Sequence, residues 1–247
     1  MSKKFVIFTD LDGSLLNHED YSFDEANSLL EKIKAKNIPL IYTTSKTRNE
    51  CEILQKKMGL TSPFIVENGA AIYYPDGRVE LLGLPHKKIK HFIDRHYEEF
   101  NILSFSNMRV EDIMEYTLFD YEQAKIAQSR DYSEPFLIRD ERRLTELEVL
   151  AELEGMKILK GGRFYHLVGI DQDKGKAVEL ALKNYPDHIS IGLGDNYNDI
   201  AMLEVVDIPV LIPHHEGRYI ELELKNLIKA KHKGALGWSE AVSEIIL

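Results

Sequence analysis

Apolar residues in this chain fall into short continuous runs, separated by longer stretches in which they recur at helical spacing. Phe5-Val6-Ile7-Phe8-Thr9 is the first run and predicts a parallel strand buried on both faces. Leu29, Leu30 and Ile33 then mark one face of a helix. Ser22-Phe23-Asp24-Glu25 reads as its capping box, and Asn37-Ile38-Pro39 breaks it. Residues 40–43 form a second predicted strand, 47–58 a second helix stopped at Gly59, and 64–66 a third strand. Strand, helix, strand, helix, strand predicts a parallel sheet wound right-handedly.

The same alternation returns near the C-terminus. Residues 174–183 read as a helix, 188–192 as a strand, 200–205 as a short helix and 208–211 as a strand, with 221–231 as an amphipathic closing helix. The stretch between is richer in Glu, Arg, Lys, Tyr and Phe. It predicts helices at 87–99 and 144–155 and strands at 136–139 and 157–160. The expected fold is α/β, a doubly wound, Rossmann-like core of residues 1–83 and 168–247. An α+β module, residues 84–167, is inserted into it through hinges near Gly83-Leu84-Pro85 and at 165–169.

Composition narrows the function classes. With 247 residues the chain can bury a substantial core, and 44% hydrophobic with 29% charged residues is ordinary for a soluble globular protein. A net charge of −10 argues against broad binding to nucleic acid or to an anionic membrane, so neither is an expected partner. An anionic substrate would need a local cationic site. Cys51 is the single cysteine, which agrees with a reducing cytoplasm. No apolar run approaches the roughly 20 residues of a membrane span. Met1-Ser2-Lys3-Lys4 leads straight into the first strand, too briefly for a secretory signal. The expected location is the cytoplasm; oligomeric state stays open.

The candidate chemistry sits where predicted strands end, which is where open α/β sheets bind ligands. Asp10-Leu11-Asp12-Gly13-Ser14 places two carboxylates at i, i+2. Near a cation one can serve as nucleophile while the other handles a proton, a use of aspartate known chiefly from phosphoryl transfer. Taken alone, the same residues make an ordinary turn. Thr43-Thr44-Ser45-Lys46-Thr47 opens a helix, as a phosphate cradle or as a simple N-cap. Lys174 begins another helix in Asp171-Gln172-Asp173-Lys174-Gly175-Lys176. It could hold a carboxylate and phosphoryl oxygens together, or be a solvated surface lysine. The Asp-x-Asp spacing there does not make a calcium loop, because Gly175 and Leu182 stand at the wrong positions. Gly194-Asp195-Asn196-Tyr197-Asn198-Asp199 offers oxygen ligands at a density that suits Mg²⁺. Asp199 could also cap the following helix. His214-His215 lacks a third metal ligand nearby and reads as a solvated loop.

Four of these motifs in this order resemble the haloacid-dehalogenase (HAD) superfamily: Asp10–Ser14 for DxDG[TS], Thr44, Lys174, and 194–199 for GDxxND. The module inserted between the second and third resembles the cap of the Cof-like sugar-phosphatase branch. Closer still is the resemblance to mannosyl-3-phosphoglycerate phosphatases. It rests on Thr44-Ser45-Lys46-Thr47-Arg48, where the wider branch usually has Thr-Gly-Arg, and on Glu67-Asn68-Gly69-Ala70. Two cap segments also fit, Ala127 to Phe136 and Gly161-Gly162-Arg163-Phe164-Tyr165-His166.

The resemblance implies a Mg²⁺-dependent phosphatase in which Asp10 attacks phosphorus and Asp12 serves as acid and then base. Mg²⁺ would be held by Asp10, the Asp12 carbonyl and Asp195, with Asp199 in support, while Thr44 and Lys174 bind phosphoryl oxygens. A phosphorylated sugar or glycerate is the implied small-molecule substrate. Its carboxylate wants a bidentate cation, and Arg130 and Arg163 are the candidates, with Ser133, Ser45 and Lys46 or Arg48 nearby. Either arginine could instead pair with cap acids such as Asp131 and Glu134. Asn68, His166 and Asn198 are candidates for other substrate contacts. Rival readings are a phosphatase of glucosyl-3-phosphoglycerate or sucrose phosphate, a hexose phosphomutase, and a phospho-receiver module. A receiver needs neither a cap nor Asp12.

Overall fold

Two sheets organise the chain, and each is assembled from segments far apart in sequence. The computed structural model describes residues 3–247; Met1 and Ser2, where the N-terminal leader reading begins, lie outside the described residues. The larger sheet has eight strands. They are β1 (Phe5–Thr9), β2 (Leu40–Thr43), β3 (Phe64–Val66), β4 (Ala71–Tyr73), β5 (Val79–Leu81), β10 (Ile189–Gly194), β11 (Ile208–Leu211) and β12 (Ile228–Lys229). Their order is β12-β11-β10-β1-β2-β3-β4-β5. Pairing is parallel from β12 to β3, and β4 and β5 add an antiparallel edge.

Helices cover both faces, which is why the parallel strands are apolar throughout. On one face lie α1 (Asn27–Ala35), α2 (Arg48–Met58) and α9 (Gly234–Ile246), packing Leu30, Ile33, Met58 and Trp238 against Ile7, Tyr42 and Leu193. On the other lie α7 (Lys174–Leu182) and α8 (Ile200–Val205), packing Val178 and Leu203 against Val6, Phe8 and Ile41. The core is therefore doubly wound.

The smaller sheet belongs to the cap. Its order is β6-β7-β9-β8, all antiparallel, from β6 (Ile102–Ser104), β7 (Glu134–Ile138), β8 (Met156–Lys160) and β9 (Tyr165–Gly169). Helices α3 (His86–His96) and α6 (Leu144–Leu153) pack Phe92 and Leu147 on one face. Helices α4 (Val110–Tyr116) and α5 (Tyr121–Gln128) bury Ile113 and Ala124 in a second cluster with Phe105 and Leu137.

Three local expectations are corrected. Ser22 and Glu25 form no capping box. Asn17 Nδ2 donates to Ser22 Oγ at 3.0 Å and to Glu25 Oε2 at 3.2 Å, so both side chains serve a neighbouring turn. Residues 165–169 are not a hinge but β9, paired on both sides within the cap sheet, and the return to the core falls at 170–173. Residues 221–231 are not a helix. Ile220, Leu222 and Leu224 alternate with polar residues and pack as an extended strap against the α7–α8 side before β12. The closing helix is α9, whose buried Trp238 donates from Nε1 to Thr9 Oγ1 at 2.9 Å.

Candidate active site

Strand β1 lies between β10 and β2, so the loops leaving all three carboxyl ends share one crevice. Asp10 leaves β1, and its N–H donates to the carbonyl of Leu193 at 2.8 Å, which fixes it beside the end of β10. The carboxylates of Asp10, Asp195 and Asp199 have oxygens within 4.8 Å of one another, and all three residues are buried. Lys174, at the first turn of α7, reaches across β1 and β10. Its Nζ donates to Asp10 Oδ1 and to Asp199 Oδ1, both at 2.6 Å. Gly13 lets the turn close over this cluster. Its φ is +85°, and a Cβ there would meet Asp195 Oδ2 at 2.6 Å.

One lysine does not balance three buried carboxylates. Burial, with Asp199 and Asp12 nearby, pushes Asp10 up to about 7 although Lys174 pulls the other way. Burial and then the charges of Asp10 and Asp199 push Asp195 well above the ordinary carboxylate range. Burial opposes the charge of Lys174, but Asp10 and Asp199 outweigh it and raise its pKa. A divalent cation would supply the missing positive charge, and an all-oxygen donor set suits Mg²⁺. Asp10 and Asp195 have oxygens free to hold it. Asp199 does not: Lys174 takes Oδ1, while Oδ2 accepts the N–H groups of Asp195 and Asn196, each at 3.0 Å. Asp199 holds the Asp195 loop in place.

The loop after β2 brings a second cation. Thr44 is fully buried, and its Oγ1 accepts the Lys46 N–H at 3.1 Å, inside the turn rather than along the pocket wall. Thr47 caps α2 in a reciprocal capping box with Glu50. Lys46 is buried, with Nζ 2.8 Å from Asp12 Oδ1 and 3.7 Å from Glu50 Oε1, above the rings of Tyr21 and Phe119. Burial works against its charge, yet Asp12 and Glu50 hold its pKa above the ordinary lysine value.

A cavity opens above this floor, about 860 Å³ with the open solvent at its mouth included. Asp10, Asp12, Ser45, Lys46, Asp195 and Asn198 line it from the core, and Arg130, Arg163, Phe164 and His166 from the cap. Arg163 is exposed, with Nη2 3.3 Å from His18 Nε2 at the mouth. Arg130 is buried. Four of its N–H groups reach Ser133 Oγ (twice), the Ala127 carbonyl and the Ser45 carbonyl, which leaves one of its five for a ligand. Its acidic partner is Glu67 in the core, at 3.4 Å, rather than Asp131 or Glu134. Ser133 also donates to Glu67, at 2.7 Å. Burial, then Arg130 and Lys174, push His166 down to about 3, and its Nδ1 has no partner. Asn68 is fully buried outside the cavity wall; its Oδ1 accepts from Asn198 Nδ2 at 3.0 Å.

Sequence reasoning missed His18, Tyr21 and Phe119, which line the cavity from loops without a local motif, and Glu50, whose capping-box role in α2 gave no sign of the cavity. His214 also lines it, half-buried at the start of the exposed loop that includes His215, beside the stacked rings of His18 and His215. Among the described residues, the aspartate trio is the one carboxylate, histidine or cysteine cluster spaced to hold a metal.

The model of the haloacid dehalogenase-like hydrolases matches residues 7–214. The chain belongs to this family. Two relatives match the HAD-like hydrolase over 98% of its length and 97% of theirs. Each is a "glucosyl-3-phosphoglycerate/mannosyl-3-phosphoglycerate phosphatase": 46% identical from Persephonella marina and 36% identical from Methanococcoides burtonii. A solved HAD subclass IIB sugar phosphatase superposes with a TM-score of 0.71 at 17% identity. The match covers 99% of this chain and all of that one, and at this identity it speaks for the fold alone.

Proposed function

We propose that this HAD-like hydrolase is a phosphatase of glycosyl-3-phosphoglycerates, with mannosyl-3-phosphoglycerate as a substrate and mannosylglycerate as the product. The observation that carries the reading is the buried Asp10–Lys174–Asp199–Asp195 cluster, set below a cavity whose walls bring Lys46, Arg130 and Arg163. These three cationic side chains, gathered at one cavity of an acidic protein, suit a substrate bearing both phosphate and carboxylate. The names of the two relatives support the substrate class, and residues 84–169, with the whole of β9, are taken as the cap that selects it.

Asp10 attacks phosphorus in line; the bond to the ester oxygen breaks as an aspartyl-phosphate forms. Lys174 keeps the Asp10 carboxylate aimed and compensates charge on the phosphoryl oxygens. Asp12 is a third exposed and lines the cavity, so it can meet the leaving oxygen; it gives that oxygen a proton. It then takes a proton from the water that attacks phosphorus, and the bond to Asp10 breaks to restore the carboxylate. Mg²⁺, held by Asp10, Asp195 and the Asp12 carbonyl, would neutralise charge on the carboxylates and phosphoryl oxygens. The cap excludes bulk water from this site.

Phosphate release with Mg²⁺ tests the reading, on mannosyl-3-phosphoglycerate, glucosyl-3-phosphoglycerate, sucrose 6-phosphate and p-nitrophenyl phosphate. The expected result is kcat/KM on the two phosphoglycerates at least a hundredfold above the others, about 2.7 kcal/mol of discrimination. Comparable slow rates on all four would overturn the substrate class.

A further inference from the structure

Glu67 is a buried carboxylate for which the proposed chemistry has no use. It follows β3 in a turn whose three residues all have left-handed backbone, with φ of +48° at Glu67, +60° at Asn68 and +89° at Gly69. A non-glycine residue held there is strained, and such strain persists only where surrounding contacts fix it.

Those contacts come mostly from the cap. Glu67 Oε1 accepts the Asp131 N–H at 3.0 Å, and Oε2 accepts the Tyr132 N–H at 3.0 Å and the Ser133 hydroxyl at 2.7 Å. Arg130 Nε lies 3.4 Å away, with both side chains at most 3% exposed. The backbone of the same turn is tied to the site. The Glu67 N–H donates to the Lys46 carbonyl, and the Asn68 N–H to the Thr44 carbonyl, each at 2.9 Å. On its other side Gln172, on the return crossing from the cap, donates to the Glu67 carbonyl at 2.6 Å. Arg130 in turn spans from the cap to the Ser45 carbonyl at 2.5 Å.

We propose that Glu67 is the positioning residue that latches cap segment 130–133 onto the core and thereby holds Arg130 on the cavity wall. This rests on the glycosyl-3-phosphoglycerate reading for its substrate, though the latch itself does not. A carboxylate is needed because two acceptor oxygens must serve three donors and face a buried guanidinium. With Gln, one of those positions becomes an NH₂ that cannot accept. A small substrate that reaches only Asp10 has no use for Arg130, whereas a long anionic one reaches the wall that Arg130 forms.

The test compares wild type with Glu67→Gln and with Glu67→Asp, which keeps the charge but shortens the reach. Amide hydrogen exchange at Asp131 and Tyr132 reads the latch directly. Turnover of glucosyl- or mannosyl-3-phosphoglycerate is read beside that of p-nitrophenyl phosphate. Expected for both variants is at least tenfold faster exchange at the two amides. Expected too is a fall of at least tenfold in kcat/KM on the phosphoglycerate, carried mainly by KM, with p-nitrophenyl phosphate within twofold of wild type. Equal losses on the two substrates would mean a merely structural role, and unchanged exchange would mean no latch; either overturns the proposal. Should Glu67→Gln fail to fold, Glu67→Asp carries the same measurements. Wild type that turns over only p-nitrophenyl phosphate would sink the substrate reading, while the exchange measurement would still decide the latch.

Discussion

Asp10 and Lys174 share a buried contact at 2.6 Å, but Lys174 is also held by Asp199 at 2.6 Å, so Asp10 can lose its charge without leaving the lysine unpaired. Asp10→Asn keeps the shape and removes the nucleophile. Phosphate release should fall by at least about a thousandfold, with the folding transition retained. His166 makes a separate prediction, in stability. Its folded pKa near 3 lies below the ordinary 6.5, so between those values the unfolded chain binds more protons than the folded one. The stability held by neutral His166 is complete above about pH 6.5 and is lost as pH falls toward 3. From pH 7 to pH 5 this amounts to about 2 kcal/mol. Urea midpoints at the two pH values should therefore separate less in His166→Gln than in wild type. Equal separations would refute the assignment.

Elements whose signals are local are where the sequence reads truly. Helix α2 begins at Thr47 and stops at Gly59 because a capping box and a left-handed C-cap are written within a few residues. Strands β2, β3 and β11 match their apolar runs residue for residue. The strap at 221–231 misled because acid-rich spacing suits a helix until Leu222 and Leu224 find partners on α7 and α8. The turn at 67–69 shows how tertiary contact changes the weight of one residue. Gly69 and Gly77 have nearly the same φ, +89° and +87°. A Cβ at Gly69 would lie 2.0 Å from the Asp173 carbonyl oxygen, whereas at Gly77 it meets nothing within 4 Å. Gly77→Ala should cost about 1 kcal/mol, the strain of its backbone alone. Gly69→Ala should cost at least about 3 kcal/mol, because backbone must move as well. Chemical denaturation of the two variants gives the comparison, and equal losses would contradict it.

At the scale of the molecule, the proposed Mg²⁺ site joins loops from β1 and β10 beneath a cap that is itself an insertion, so an ion bound there would stabilise the folded chain as a whole. With Mg²⁺ at a hundredfold above its Kd, stability should rise by about 2.7 kcal/mol, and Tm by about 5–10 °C. Asp195→Asn should abolish the rise; a rise that survives it would place the ion elsewhere. The doubly wound core, the inserted cap and the family were all legible along the chain. Strand periodicity, caps and the four motifs are written in contiguous residues, and steric rules allow few ways to wind them. What Arg130 faces was settled by packing in three dimensions, because its partner Glu67 lies 63 residues away in the turn after β3. Packing likewise decided that Lys46 stands against Asp12, that 165–169 is a central strand of the cap, and that His18 and His214 meet at the mouth. Burial and charge pairing are properties of the closed fold, and no pattern along the chain encodes them locally.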